Sequence, residues 1–412
     1  MKKILALLLA LIMVVSMVAC GKTAPTAPDA EASQPEASQP EASQPEAQQG
    51  GTSVDAGGKV TTEYNAPDEV TTDKELPPFK ILVIYAQFTD KLGSQYKAAL
   101  EYLAAPLNVE FTFLETGFGG DEAMTAIQAA LMNDYDGCIG VGTDEATVKL
   151  FDEAGVPYIV QGGCPTPEMA PVLAGYNNYL GAVVVDDYLA AWNMAESLYN
   201  QGCRNVGWFG LNRGMSPQHD QRTAGFLDAV ASHDDMNLVN ETYDYTAADA
   251  VAIAAATYPE LDGYGYTVLS EAAYNLLETE GLVGSLKIAG IDISESTGKY
   301  VENGTIAYVA GGNYATIQIA FAVLYNYLLD GTKMIENPAE NLEMLNIDIH
   351  NIEEFNNYIK YLDSGVPAYT PQEILDMTHY QNSDMDAAAL KEICKSYTLE
   401  DVMTRHADLL VE

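Results

Sequence analysis

From Phe79 onward, short apolar runs alternate with longer amphipathic stretches. Residues 80–85 (Lys-Ile-Leu-Val-Ile-Tyr) read as a buried strand and 94–105 as a helix. An unbroken apolar run of ~4–8 residues suits a strand covered on both faces. Strands at 109–114, 137–141 and 157–160, with helices at 121–132 and 145–154, continue the cycle, and a long amphipathic stretch predicts a helix over 180–199. The pattern then restarts: strands at 205–210, 237–243, 265–269, 287–291 and 306–309 are separated by helices at 219–231, 247–256, 271–280 and 296–303. Strands alternating with helices of ~10–15 residues predict parallel sheets with helices on both faces. Two such series predict two doubly wound α/β lobes.

The last quarter differs. A helix over 314–329 stops at Asp330-Gly331, and a strand at 344–349 and a helix at 352–362 follow. Glycine just past a helix end is a common terminator. Beyond Gly365 the pattern predicts helices alone, at 371–377, 386–397 and 399–410. The expected division is a first lobe of 79–178 plus 313–341, a second of 179–312 plus 342–365, and a helical C-terminal extension over 366–412. The chain is then expected to cross between lobes near 176–180, 311–314 and 337–344.

The N-terminus predicts export. Lys2 and Lys3 precede an apolar run over 4–19, which small residues close before Cys20. A basic start, an apolar run and a small-residue end describe a secretory signal over 1–19, and the run is shorter than the ~20 residues that span a bilayer. Ala19-Cys20 resembles the bacterial lipobox, which implies that Cys20 becomes a lipidated first residue on the extracytoplasmic face of the cell membrane. An ordinary signal with a chance cysteine is the other reading. Residues 20–78 contain Glu-Ala-Ser-Gln-Pro three times (31–35, 36–40, 41–45) and almost no large apolar side chain. Such a composition cannot offset the entropy of ordering and predicts a tether.

Charge narrows the partners. Asp and Glu number 59 against 19 Lys and Arg, a net charge of −40, yet residues 22–78 hold only 11 of the acids beside three lysines. Most of the charge therefore belongs to the body, which repels phosphate backbones and anionic lipid headgroups. Nucleic acid is not an expected partner. Cys138, Cys164, Cys203 and Cys394 form no CxxC and show no zinc-finger spacing with histidine. Cys138 lies in an apolar run, where a buried free thiol is the common role.

Several segments resemble the periplasmic sugar-binding proteins of ABC transporters, type I, which share their fold with the ligand-binding domains of LacI-type repressors. In order they are Gly155-Val-Pro-Tyr-Ile-Val160, Gly202-Cys-Arg-Asn-Val-Gly-Trp-Phe-Gly210, Arg222-Thr-Ala-Gly-Phe226, Ile288-Ala-Gly-Ile-Asp292 and the segment 344–358. The likeness covers about residues 79–362. It implies a type I two-lobe binding protein that takes a small polar ligand, a sugar first, and passes it to an ABC transporter permease in the membrane. The same body could instead report the ligand to a membrane receptor. No DNA-binding headpiece accompanies it, so a repressor is not implied.

Ligands of open α/β sheets bind beyond the carboxyl ends of the strands. Candidates there are Phe88 (with Gln87), Asp144 (with Thr143), Gln161 and Asn178 (with Asn177) from the first lobe. The second lobe offers Arg222, Ser270 (with Glu271), Asp292 and Tyr314 (with Asn313), besides Asn212 and Arg213. Polar groups and guanidiniums suit the fixed donors and acceptors of sugar hydroxyls, and Phe88, Tyr96 and Tyr314 suit the apolar face of a ring. Each has a structural alternative: Asp292 as a helix cap, Arg222 in an ion pair, Asn178 as an N-cap, Tyr314 as core. The chain also departs from the resemblance. Gln161-Gly162-Gly163 stands where an Asp is usual, Ser270-Glu271 replaces Asn-Asp, and Gly311 replaces a Gln. A polyol or nucleoside therefore stays open beside a pentose or hexose.

Nothing in the pattern calls for a cofactor, a metal or catalysis. The five histidines (His219, His233, His350, His379, His406) are scattered, and there is no His-Glu-x-x-His, Gly-x-Ser-x-Gly or Walker Gly-x-x-x-x-Gly-Lys-Ser/Thr motif. These are the residue sets that zinc hydrolysis, acyl transfer and phosphate binding require. With so many carboxylates a glycosidase pair could still arise, and a carbohydrate-active enzyme is the remaining alternative.

Overall fold

The computed structural model describes residues 53–54, 60–61, 69–117, 119–244, 246–247, 249–363 and 367–409. The expected signal, Cys20 and most of the tether lie outside the described residues. Residues Ser53–Val54 and Val60–Thr61 pair as short antiparallel strands.

The first sheet is built from β1 (Phe79–Tyr85), β2 (Val109–Glu115), β3 (Gly137–Gly140), β4 (Tyr158–Gln161), β5 (Tyr179–Val185) and β11 (Asn341–Met344). Its order is β11-β5-β4-β3-β1-β2, and every neighbouring pair is parallel. The second sheet contains β6 (Asn205–Phe209), β7 (Asn237–Thr242), β8 (Gly263–Tyr266), β9 (Lys287–Ile291), β10 (Ile306–Gly311) and β12 (Ile347–Ile349). It runs β12-β10-β9-β8-β6-β7, parallel except for β12. The helices lie on the sheet faces, so central strands are buried on both sides; Ile81, Leu82, Val83 and Ile84 of β1 are all core residues. Two doubly wound α/β lobes are thus present.

One boundary moves. The stretch expected to be a single helix over 180–199 divides into β5 and α5 (Asp187–Asn200). Three consecutive β-branched residues, Val183 to Val185, favour the pleated strand. Gly181, at φ 111°, takes a backbone conformation closed to other residues, and an added Cβ there would lie 2.9 Å from Ile335. The first sheet therefore extends to Val185 and takes in β11. The crossings fall at 185–187, 311–313 and 344–347, so the expected crossings at 176–180 and 337–344 each come one strand too early.

Helix ends follow local chemistry. In α1 (Lys91–Ala104) Asp90 accepts from Gly93 N at 2.6 Å, and in α3 (Glu145–Ala154) Asp144 accepts from Thr147 N at 2.9 Å. A carboxylate at the N-cap satisfies an otherwise orphaned amide. Helix α5 packs closely on α6 (Pro217–Ser232): a Cβ on Gly225 would lie 2.1 Å from Tyr188 O, so only glycine allows this approach.

The C-terminal extension is part of the core. Helix α10 (Thr316–Asp330) is buried over residues 316–326, with the first sheet on one side and α12 (Pro371–Asp376) on another. Gln318 donates to Tyr369 O at 2.7 Å and accepts from Tyr369 N at 3.0 Å; Asn326 donates to Met377 O at 3.0 Å. Tyr397, at the end of α13 (Ala387–Ser396), donates to Gly312 O at the second crossing at 3.1 Å. Residues 71–75 bond to the same extension, Thr71 N donating to Gln372 Oε1 at 2.7 Å. Cys138, Cys164, Cys203 and Cys394 are buried free thiols. Among the described residues, no helix is long and apolar enough to cross a membrane.

Candidate functional site

The carboxyl ends of both sheets face one another, and Arg222 stands where they meet. It rises from α6 with 7% exposure and donates through Nε to Asp187 Oδ1 at 2.6 Å and through Nη1 to Thr267 O at 2.7 Å. Asp187 is the first residue of α5, beyond β5; Thr267 follows β8. Asp292, directly after β9, takes φ 80° and accepts weakly from Asn313 Nδ2 at 3.4 Å. That backbone region is sparsely populated outside glycine, with Asn and Asp its commonest other occupants.

Charge balance around this guanidinium is tight. Burial pushes the Asp187 and Asp292 carboxyls upward, and Arg222 opposes both shifts. His219 Nδ1 lies 2.7 Å from Thr267 Oγ1, and burial beside Arg222 lowers its pKa to about 3. The ring is therefore neutral at pH 7.

A polar chain runs from the first lobe to this group. Gln161, at the end of β4 and 2% exposed, donates to Thr316 Oγ1 at 2.9 Å, and Thr316 donates to Asn313 O at 2.7 Å. Aromatic rings line the end of β1: Tyr85 sits 5.1 Å from Tyr96 and 5.9 Å from Phe88. Burial, with Asp90 and Asp292 adding to it, pushes the Tyr85 phenol up to about 12. The lobes touch across the gap. Gln218 donates to Gly162 O at 2.6 Å; Lys91 donates to Ile293 O at 3.1 Å and to Asp363 at 3.2 Å. Two cavities lie between these latches. One of about 690 Å³ is lined by Thr116, Thr143, Asp144, Ser216 and Gln218 among others. The other, about 380 Å³, is lined by Lys91, Gln95, Ser270, Glu271, Asp292 and Asn313 among others.

Five of the eight expected ligand residues thus gather at the strand ends. Arg222 and Asp292 are neighbours, Gln161 is joined to them through Thr316 and Asn313, Asp144 borders the larger cavity, and exposed Ser270 borders the smaller. Asp144 also caps α3, bonding Thr147 Oγ1 at 2.7 Å. Phe88 is packed 5.1 Å from Phe113 and borders neither cavity. Tyr314 is core, 3% exposed, and donates to Leu362 O at 3.0 Å. Asn178 is corrected outright: it precedes β5, at the amino ends of the strands, and is held by Asp152 Oδ1 at 2.9 Å. The acidic residue that opens a helix beyond the carboxyl end of β5 and meets Arg222 is Asp187. Reading Val183–Val185 as a strand would have located it. His219 and Thr267 carried no sequence signal of their own. Among the described residues, no group of three His, Cys, Asp or Glu could hold a metal ion.

The architecture is two lobes built on largely parallel sheets, joined by three crossings, with polar groups converging at the strand ends. Solved structures share it. A solute-binding protein of an ABC transporter from Actinobacillus succinogenes, holding D-allose, matches with a TM-score of 0.60 at 17% identity, over 68% of this chain and 100% of its own. One from Agrobacterium vitis, bound with α-D-tagatopyranose, matches at 0.56 and 18%, over 67% and 95%. A periplasmic sugar-binding protein from Pseudomonas fluorescens matches at 0.62 and 13%, over 79% and 99%. At such identities the likeness is one of fold. No family model matches the chain, and no curated protein does.

Proposed function

We propose that this chain is an exported, lipid-anchored solute-binding protein that captures a small polar ligand, a sugar first, between its lobes and delivers it to an ABC transporter permease. The observation that carries this reading is Arg222, set between Asp187 and Asp292 where the two sheets face each other. A guanidinium flanked by carboxylates offers donors and acceptors side by side, the pattern that adjacent hydroxyls match. The neighbours of like fold that hold tagatose and allose support a sugar. In this reading Asp144, Gln161, Arg222, Ser270 and Asp292 contact the ligand, Phe88 and Tyr314 support the walls, and Cys20 carries the lipid. The protein binds its ligand unchanged and needs no cofactor.

The test is a thermal-shift screen over sugars, polyols and nucleosides, followed by calorimetry and product analysis. A ligand that binds only the folded state raises stability by RT ln(1 + [L]/Kd). Stoichiometric binding without turnover is expected. Conversion of a saccharide to product would replace the reading with an enzymatic one.

A further inference from the structure

A cavity of about 550 Å³ lies on the hinge flank and shares no lining residue with either cleft cavity. Its walls come from Asp186 at the first crossing, Leu345 and Asn346 at the third, β12, the first turn of α11 (Ile352–Tyr358) and α14 (Leu399–Arg405) of the C-terminal extension. Five carboxylates line it, Asp186, Asp348, Glu353, Glu354 and Glu400, with no Lys or Arg. Three of them are held by other groups. Asp186 accepts from Leu189 N at 2.8 Å, Asp348 from Tyr308 Oη at 2.5 Å and Asn193 Nδ2 at 2.9 Å, and Glu354 from Asn351 and His350. His350 is the only basic residue in the lining. Burial accordingly pushes the Asp348 carboxyl upward.

A second observation is independent of charge. Asn346 is 8% exposed, lines the cavity, and leaves both amide atoms buried without a partner among the described residues. A native side chain in that condition calls for an explanation, and a missing ligand is one.

The arrangement also selects the kind of ligand. The carboxylates are spread round the wall, and no three of them converge on a point that could hold a metal ion. Leu189, Ala190, Leu345, Leu399 and Met403 line the same cavity. Spaced anions over an apolar surface match a chain of methylenes carrying ammonium groups: the nitrogens meet carboxylates and Asn346 Oδ1, and the methylenes cover the leucines. We propose that this hinge-flank cavity is a second ligand site, for a linear organic polycation such as a diamine or polyamine.

An acidic protein attracts polyamines everywhere, so the test must separate a site from an atmosphere. Spermidine is titrated into the full chain by calorimetry at physiological ionic strength. One saturable site is expected, weakened at least tenfold in the double variant Glu353→Gln/Glu400→Gln and also in Asn346→Leu. The control pair Glu122→Gln/Glu280→Gln removes the same charge from exposed positions elsewhere and should bind as the parent does. Both glutamates of the test pair are exposed, so the variant keeps its fold. Non-saturable heat, or equal weakening by the control pair, would overturn the site. So would loss of spermidine binding in Asp292→Asn, which would place the polycation in the cleft instead.

Discussion

Arg222 Nε lies 2.6 Å from Asp187 Oδ1, while Asp187 Oδ2 is buried with no partner among the described residues. The pair joins the first crossing to α6 of the second lobe and leaves Arg222 facing Asp292 as well. Arg222 is therefore both a strut and a candidate ligand group, whereas the one side-chain hydrogen bond to Asp292 among the described residues is the 3.4 Å bond from Asn313. The two residues should respond differently to substitution.

Arg222→Ala should lower both the melting temperature of the ligand-free protein and its affinity. Removing one partner of a buried ion pair costs about 3–5 kcal/mol, because the other charge is left uncompensated. Asp292→Asn should keep the ligand-free melting temperature, since Asn tolerates positive φ. It should weaken binding by about 10- to 100-fold, the equivalent of a lost charge-assisted bond of ~1.5–3 kcal/mol. Melting and calorimetry on both variants decide this; wild-type affinity in Asp292→Asn would remove it from the site.

Acid should destabilise the protein partly through His219. Its pKa falls from 6.5 in the free side chain to about 3 in the fold. Between those values the unfolded chain binds the extra proton, so stability rises with pH across the window and is lost as pH falls. The slope from this group is at most about 1.4 kcal/mol per pH unit. His219→Gln keeps a polar partner for Thr267 and should flatten the acid side of a melting-temperature profile. An unchanged profile would assign the acid sensitivity to other groups.

Closure should be measurable in solution. Residues 185–187, 311–313 and 344–347 carry the crossings, and Lys91 and Gln95 reach Asp363 across the gap. Saturating ligand should reduce the radius of gyration in X-ray scattering, as rigid lobes turn about short crossings. Lys91→Ala/Gln95→Ala should weaken the ligand's effect. A radius indifferent to ligand would count against a moving cleft.

The C-terminal extension should be needed for stability. Gln318→Ala leaves Tyr369 N and O unpaired in the core, at about 1–3 kcal/mol for each orphaned group. Chemical denaturation should show a lower midpoint, and a midpoint equal to the parent's would mean that the extension is only loosely attached.

Cys20→Ala tests the anchor apart from the fold. A lipidated cysteine is the attachment that this reading assigns, so the variant should move from the membrane pellet to the soluble fraction. Persistent sedimentation with membranes would end that assignment.

The sequence by itself determined the lobes. Apolar runs such as Ile81–Ile84 encode strands locally, because period depends only on near neighbours. Arg222, Asp292 and Gln161 were legible as strand-end or helix-start polar residues for the same reason. Tertiary structure decided the rest. Whether 179–185 was strand or helix depended on neighbours supplied by β4 and β11, more than 150 residues apart along the chain in the second case. That choice placed Asp187 at the cleft and Asn178 at the opposite end. It also fixed where the chain crosses, and the burial of α10 by residues 367–409 rests on bonds such as Gln318 to Tyr369. Contacts between distant segments carry no periodicity, and they became visible only when the chain was folded.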